Sequence, residues 1–141
     1  IEEDEDVLVI GAGVGPYPIE IARNAEPARV VAVEKNPEAV KMMRENIEMN
    51  GVGGMVEVAE GDAMDSDVGC CFDTVVSAVP DTEQSLLPGC IEAVAGDGSI
   101  LFYRFAESPV DLDFLGISLE RYVKCGDRGP SSRRYRFDLA P

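Results

Sequence analysis

The 141-residue chain predicts an α/β domain, a mostly parallel twisted sheet flanked by helices and finished by a C-terminal antiparallel hairpin. Three observations carry this expectation. Short apolar runs of strand length alternate with stretches whose apolar residues recur at helical spacing, the pattern of parallel strands joined by helical crossovers. A glycine-rich turn follows the first run, where open parallel sheets place their ligands. The last two runs are joined by a breaker-rich turn too short for a crossover, so they must pair antiparallel at one edge.

Residues 7–10 (VLVI) are continuously apolar and read as a buried strand, ending in Gly11, Ala12, Gly13, Val14, Gly15 and Pro16. A helix should follow, with Ile19, Ile21, Ala22 and Ala25 as its apolar stripe. Pro16 or Pro18 suits its first turn, where no amide is needed. Residues 29–34 (RVVAVE) form a second strand. Asn36 then caps a helix opened by Pro37, which continues through Val40, Met43 or Arg44, Ile47 and Asn50 until Gly51 ends it. Further strands are expected over residues 56–60, 72–78 and 100–104, with a helix over 84–94 between the last two. Residues 109–115 leave room for a turn or two of helix, and residues 117–124 and 134–139 form the hairpin around 126–130 (GDRGP). One domain spans residues 1–141, with an acidic, flexible stretch over the first six.

Composition removes several functions. There are 27 Asp and Glu against 12 Lys and Arg, and no His, for a net charge of −15. Without His, a Ser-His-Asp triad, a His-paired Cys and any His-ligated zinc or haem are impossible, so a general base is expected to be a carboxylate. No apolar run approaches the roughly 20 residues that span a bilayer, and the acidic start is unlike a signal peptide. The expectation is a cytoplasmic protein with no membrane partner. The first residue is Ile rather than Met, which suggests a processed or trimmed piece of something longer. Cys70, Cys71, Cys90 and Cys125 contain no C-x-x-C pair, and are expected to be buried or inert thiols of a reducing compartment, with no metal site. The charge is uneven: residues 1–120 carry −19 and residues 121–141 carry +4. An acid-rich chain with three Lys suits a very salty cell interior.

Gly11, Gly13 and Gly15 let the backbone approach a ligand closely, and the helix after them should present free amides. Glu34 stands at the end of the second strand, about 20 residues beyond the turn, where a carboxylate can accept both ribose hydroxyls of a nucleoside cofactor. Without a ligand, the same residues are a tight turn and a solvated strand end. For a dinucleotide such as NAD, Pro16 stands where a third Gly or Ala is needed. For S-adenosylmethionine, the further mark is an acid just after the third strand, supplied by Asp62 in Gly61-Asp62-Ala63. Asp62 also suits a helix cap or a turn.

The runs at residues 12–19 (AGVGPYPI), 33–40 (VEKNPEAV), 45–50 (ENIEMN) and 61–63 (GDA) resemble class I S-adenosylmethionine-dependent methyltransferases. More narrowly, they resemble the catalytic domain shared by tRNA guanine-N1 methyltransferases and the aminocarboxypropyl transferases of wybutosine synthesis. The likeness covers most of the chain and implies a Rossmann-like fold. It implies that Gly11, Ala12, Gly13 and Gly15 border the methionine part of the cofactor, that Glu34 with Lys35 beside it serves the ribose, and that Asp62 and Ala63 serve the adenine. Two departures stand out. The acid usual two residues before the first glycine is Val9 here, and the Asn that such enzymes carry after the fourth strand aligns with Ala78.

Methyl transfer is an in-line displacement at a sulfonium carbon, so positioning matters most, with proton removal where the nucleophile is neutral. Ser77, Pro80 and Asp81 follow the fourth strand and Tyr103 lies near the end of the fifth, so these should line the acceptor side. Asp81 is the candidate proton acceptor, or else the cap of the helix after it, and Tyr103 is a substrate-facing phenol or a packing aromatic. Arg121, Lys124, Arg128, Arg133, Arg134 and Arg136 suit the phosphates of an RNA or nucleotide, or are simply the outward residues of a hairpin. Three functions follow: an S-adenosylmethionine-dependent methyltransferase, with a tRNA base as a candidate acceptor and aminocarboxypropyl transfer as a variant; a noncatalytic cofactor-binding module or partner subunit; and a small NAD-binding domain.

Overall fold

The computed structural model describes residues 1–63, 68–81, 86–105, 117–124 and 132–139, with side chains described over 1–63, 68–78 and 86–102. The elements are β1 (Asp6–Ile10), α1 (Pro16–Asn24), β2 (Arg29–Glu34), α2 (Pro37–Met49), β3 (Val56–Glu60), β4 (Phe72–Asp81), α3 (Leu87–Ala93), β5 (Val94–Phe105), β6 (Ile117–Lys124) and β7 (Ser132–Leu139). They form one seven-stranded sheet in the order β3-β2-β1-β4-β5-β7-β6. The first five strands are mutually parallel, and β7 pairs antiparallel with both β5 and β6. The expected turn at 126–130 and the helical turn at 109–115 lie outside the described residues.

Why the early strands are continuously apolar is clear from their two faces. Side chains alternate across a strand, so Val7 and Val9 enter one core with Val30, Ala32, Val76 and the inward faces of α1 and α2. Leu8 and Ile10 enter the other core with Val31, Val33, Val75, Ile100 and α3. A sheet covered on both sides has no polar face to supply, unlike a half-exposed antiparallel ribbon. On α2 the buried positions are Val40, Met43 and Ile47, a helical spacing, and the Asn36 side chain accepts the Glu38 amide at 3.0 Å as the cap.

Several boundaries differ from expectation. The fourth strand runs on to Asp81 and the fifth begins at Val94, because Phe72 pairs with Val94 and pairing resumes between Asp81 and Arg104 after register shifts. Residues 95–98 (AGDG), of weak strand propensity, fall in the irregularity between the Phe72–Val94 and Thr74–Ser99 pairs. The helix before β5 starts at Leu87, with Leu86 at its cap position, rather than near Gln84. Ser77, Pro80 and Asp81 therefore lie within β4 rather than after it, and Asp81 is not the helix cap.

Candidate functional site

The carboxyl ends of β1, β2 and β3 are stitched together by backbone bonds. The amides of Gly11 and Ala12 donate to the Val33 carbonyl at 2.9 and 3.0 Å, and the Gly61 amide donates to the Glu34 carbonyl at 3.0 Å. This places Gly11, Ala12, Gly13, Gly15, Glu34, Lys35, Asp62 and Ala63 at one end of the sheet, beyond the carboxyl ends of its first three strands.

Glu34 is the hub. One carboxylate oxygen accepts the Gly13 amide at 2.9 Å and the other accepts the Asn36 amide at 2.9 Å. The half-buried side chain is thus locked to the glycine turn on one side and to the start of α2 on the other. Each carboxylate oxygen has a second lone pair, so capacity remains for two further donors. Lys35 reaches across the strand ends to Asp62 at 3.8 Å, but its side chain is 76% exposed, so the pair contributes little to stability.

The glycine turn has its own geometry. Gly11, Gly13 and Gly15 have φ of 70, 59 and 92°, the left-handed region that side chains resist. At Gly15 a Cβ would also lie 2.9 Å from Met43 Cγ, so the turn packs directly on α2. Asn46, one turn further along α2, donates its side-chain amide to the Val14 carbonyl at 2.8 Å and pins the outer limb of the turn. In the sequence Asn46 stood out only within the helix and the family-like run 45–50; its contact depends on a residue 32 positions away.

The helix after the turn does not present the expected row of free amides. Its first and third residues are Pro16 and Pro18, which have no N–H, and the Gly15 amide is taken by the Ala12 carbonyl at 3.0 Å. An anion cradle at a helix start needs several such donors, so the end of α1 is poorly suited to a pyrophosphate.

Val9 is fully buried in the core shared with α1 and α2, so it presents nothing to the turn. Ser77 is buried at 3% exposure, opposite Ile10 and Phe102 in register, and Ala78 packs against the core on the Val9 side. Tyr103 sits opposite Arg134, and Arg104 sits between Asp81 and Arg133. Lys124 is opposite Arg133 on the far side of β7. These register rows lie at the same end of the sheet as Glu34, whereas Arg121 and Arg136 pair in a row nearer its middle. Arg128 and Cys125 lie outside the described residues, as do the side chains of Asp81 and Tyr103. The acidic start gathers at the opposite end, where Asp73 accepts the Asp6 amide at 2.8 Å and Asp6 pairs with Arg29 at 2.9 Å.

A groove of about 540 Å³ lies elsewhere, between α2 and the edge strand β3, lined in part by Arg44, Glu48 and Val58. It contains none of the glycine turn, Glu34 or Asp62. Among the described residues no helix is long and apolar enough to cross a membrane, and no three Cys, Asp or Glu side chains converge as a metal site.

Comparison with known proteins matches residues 1–125 to a family model described as the TRM5/TYW2 methyltransferase domain. A tRNA (guanine-N1)-methyltransferase, Trm5b of Pyrococcus abyssi, is 34% identical over 104 residues, covering 74% of this chain and 30% of that protein. A tRNA(Phe) 4-demethylwyosine aminocarboxypropyltransferase of Methanocaldococcus jannaschii is 28% identical over 102 residues, covering 72% of this chain and 41% of that one. The crystal structure of M. jannaschii TYW2 in complex with AdoMet superposes with a TM-score of 0.82 at 22% identity, covering 99% of this chain and 71% of that one. The chain spans less than half the length of the two relatives matched by sequence.

Proposed function

The chain belongs to the TRM5/TYW2 methyltransferase domain family, and from that premise we propose that it binds S-adenosylmethionine where β1, β2 and β3 end and transfers a methyl group from it to a tRNA base. The observation that carries this is Glu34, a carboxylate locked between the glycine turn and α2 with acceptor capacity for a vicinal diol. Gly11, Ala12, Gly13 and Gly15 would border the methionine end of the cofactor, Glu34, with Lys35 beside it, its ribose, and Asp62 and Ala63 its adenine. Val9 is committed to the core, so backbone groups of the turn must hold the amino-acid end. A dinucleotide is disfavoured by the prolines that open α1.

The cofactor supplies an electrophilic carbon on a sulfonium, and the chain's task is to hold an acceptor atom in line with it. Ser77, Asp81 and Tyr103 are assigned to the acceptor side, with Asp81 taking a proton where the acceptor atom is neutral. Lys124, Arg133 and Arg134, in rows at the same sheet end, favour a phosphate-bearing substrate, and Arg121, Arg128 and Arg136 are assigned as further phosphate contacts. The cytoplasm is the compartment that a tRNA-modifying reading assigns.

Calorimetric titration with S-adenosylhomocysteine, S-adenosylmethionine and NAD, at low and molar salt, tests the cofactor. Adenosyl binding that Asp62→Ala weakens about tenfold, the loss of roughly one hydrogen bond to a charged group, is the expected result. NAD binding without adenosyl binding would sink the proposal. Incubation with unmodified tRNA then separates methyl from aminocarboxypropyl transfer by product mass. Binding with no transfer would favour the noncatalytic module, to which Ala78, packed among apolar side chains where the family pattern has an amide, already points.

A further inference from the structure

Cys70 and Cys71, expected to be buried or inert thiols, are not buried. Both are exposed, whereas Cys90, a residue of α3, is buried in the core. Their sulfurs lie 2.7 Å apart, one thiol donating to the other. The pair ends the β3–β4 connection at the amino end of the parallel strands, the end opposite Glu34. Cys71 holds a left-handed backbone with φ of 72°, directly before Phe72. Phe72 is 2% exposed and carries the Arg29 guanidinium 5.5 Å from its ring centroid, so the dithiol stands on a fixed base.

We propose that Cys70 and Cys71 form a reversible two-electron modification site, which low-molecular-weight disulfides oxidise to a ring closed between adjacent residues. Such a reaction has two exchange steps. One thiolate attacks a sulfur of the reagent, forming a mixed disulfide and expelling one reagent thiolate. The neighbouring thiol loses its proton and attacks the protein sulfur of that mixed disulfide, expelling the second. The protein loses two electrons and two protons, and one disulfide reagent becomes two thiols. The second step is intramolecular between side chains already in contact, so the adduct should not persist.

The electrostatics agree with an ordered sequence. The Cys70 sulfur, first through its hydrogen bond and then through its charge, pushes the Cys71 thiol above its ordinary value. A thiol held protonated is the poorer nucleophile, so Cys71 is assigned the resolving role. Consecutive Cα atoms are about 3.8 Å apart, short of the roughly 4.4 Å at which unstrained disulfides begin. A strained, exposed bond of this kind is readily reduced, so a dithiol reductant should reopen it.

The test treats the reduced chain with oxidised glutathione and follows intact mass, thiol release and peptide mapping. The unaltered chain should release two glutathiones, lose the two thiol hydrogens and retain no adduct, with the new bond mapping to Cys70 and Cys71. Cys71→Ser should release one glutathione and keep the other on Cys70. Dithiothreitol should restore the starting mass in both. An unaltered chain that keeps a glutathione at either position, or whose new bond joins any other cysteines or two chains, overturns the proposal without reference to any variant.

Discussion

The Glu34 carboxylate uses both oxygens on backbone amides before any ligand is considered, which makes it a structural clamp as well as a candidate ribose acceptor. The two roles predict different losses. Glu34→Gln keeps one acceptor oxygen and removes the charge, so either Gly13 or Asn36 loses its partner, at a cost of about 1 to 3 kcal/mol in stability. The same change should weaken S-adenosylhomocysteine binding roughly tenfold or more, since hydrogen bonds to a charged acceptor contribute about 1.5 to 3 kcal/mol each. Chemical denaturation and calorimetry on one sample read both, and a variant with unaltered stability would show that the two amide bonds are dispensable. Glu34 was legible from its spacing behind the glycines. That its carboxylate is shared between two neighbours was not, because the partners are set by where the chain folds back.

The glycine turn and α2 behave as a unit. Gly13 and Gly15 both hold positive φ, but a Cβ would meet nothing within 4 Å at Gly13 and would press on Met43 at Gly15. Gly13→Ala should cost only the backbone strain, about 1 to 2 kcal/mol, whereas Gly15→Ala adds the displacement of a fully buried Met43. Thermal melts should therefore place Gly15→Ala below Gly13→Ala by several degrees, and equal midpoints would mean that α2 yields without cost. The first five elements were readable because their signals are local: apolar runs, a capping Asn, Pro in opening turns. The extents of β4 and β5 were not, since they depend on Phe72 finding Val94 and Asp81 finding Arg104.

Asp6 and Asp73 lie at the amino end of the sheet, and Lys124, Arg133 and Arg134 lie in rows at the end that also carries Glu34 and Asp62. The −19 over residues 1–120 opposes compaction through self-repulsion. Raising monovalent salt from about 0.1 M to about 1 M shortens the screening length from roughly 10 to 3 Å, and should raise the urea midpoint. A midpoint that falls or stays constant would remove the link between this composition and a salty interior. By itself the sequence determined the α/β class, the order of the first elements and the positions from Gly11 to Asp62 where a cofactor is expected. Each of those is written in residues that are neighbours along the chain. Only the tertiary structure decided that β7 lies between β5 and β6, that Val9 and Ser77 are buried, that Asn46 holds Val14, and that Cys70 and Cys71 face solvent. Those outcomes rest on contacts between segments distant in sequence, such as the 3.0 Å bond from Thr74 to Glu5 across 69 positions, and no local pattern encodes such a partner.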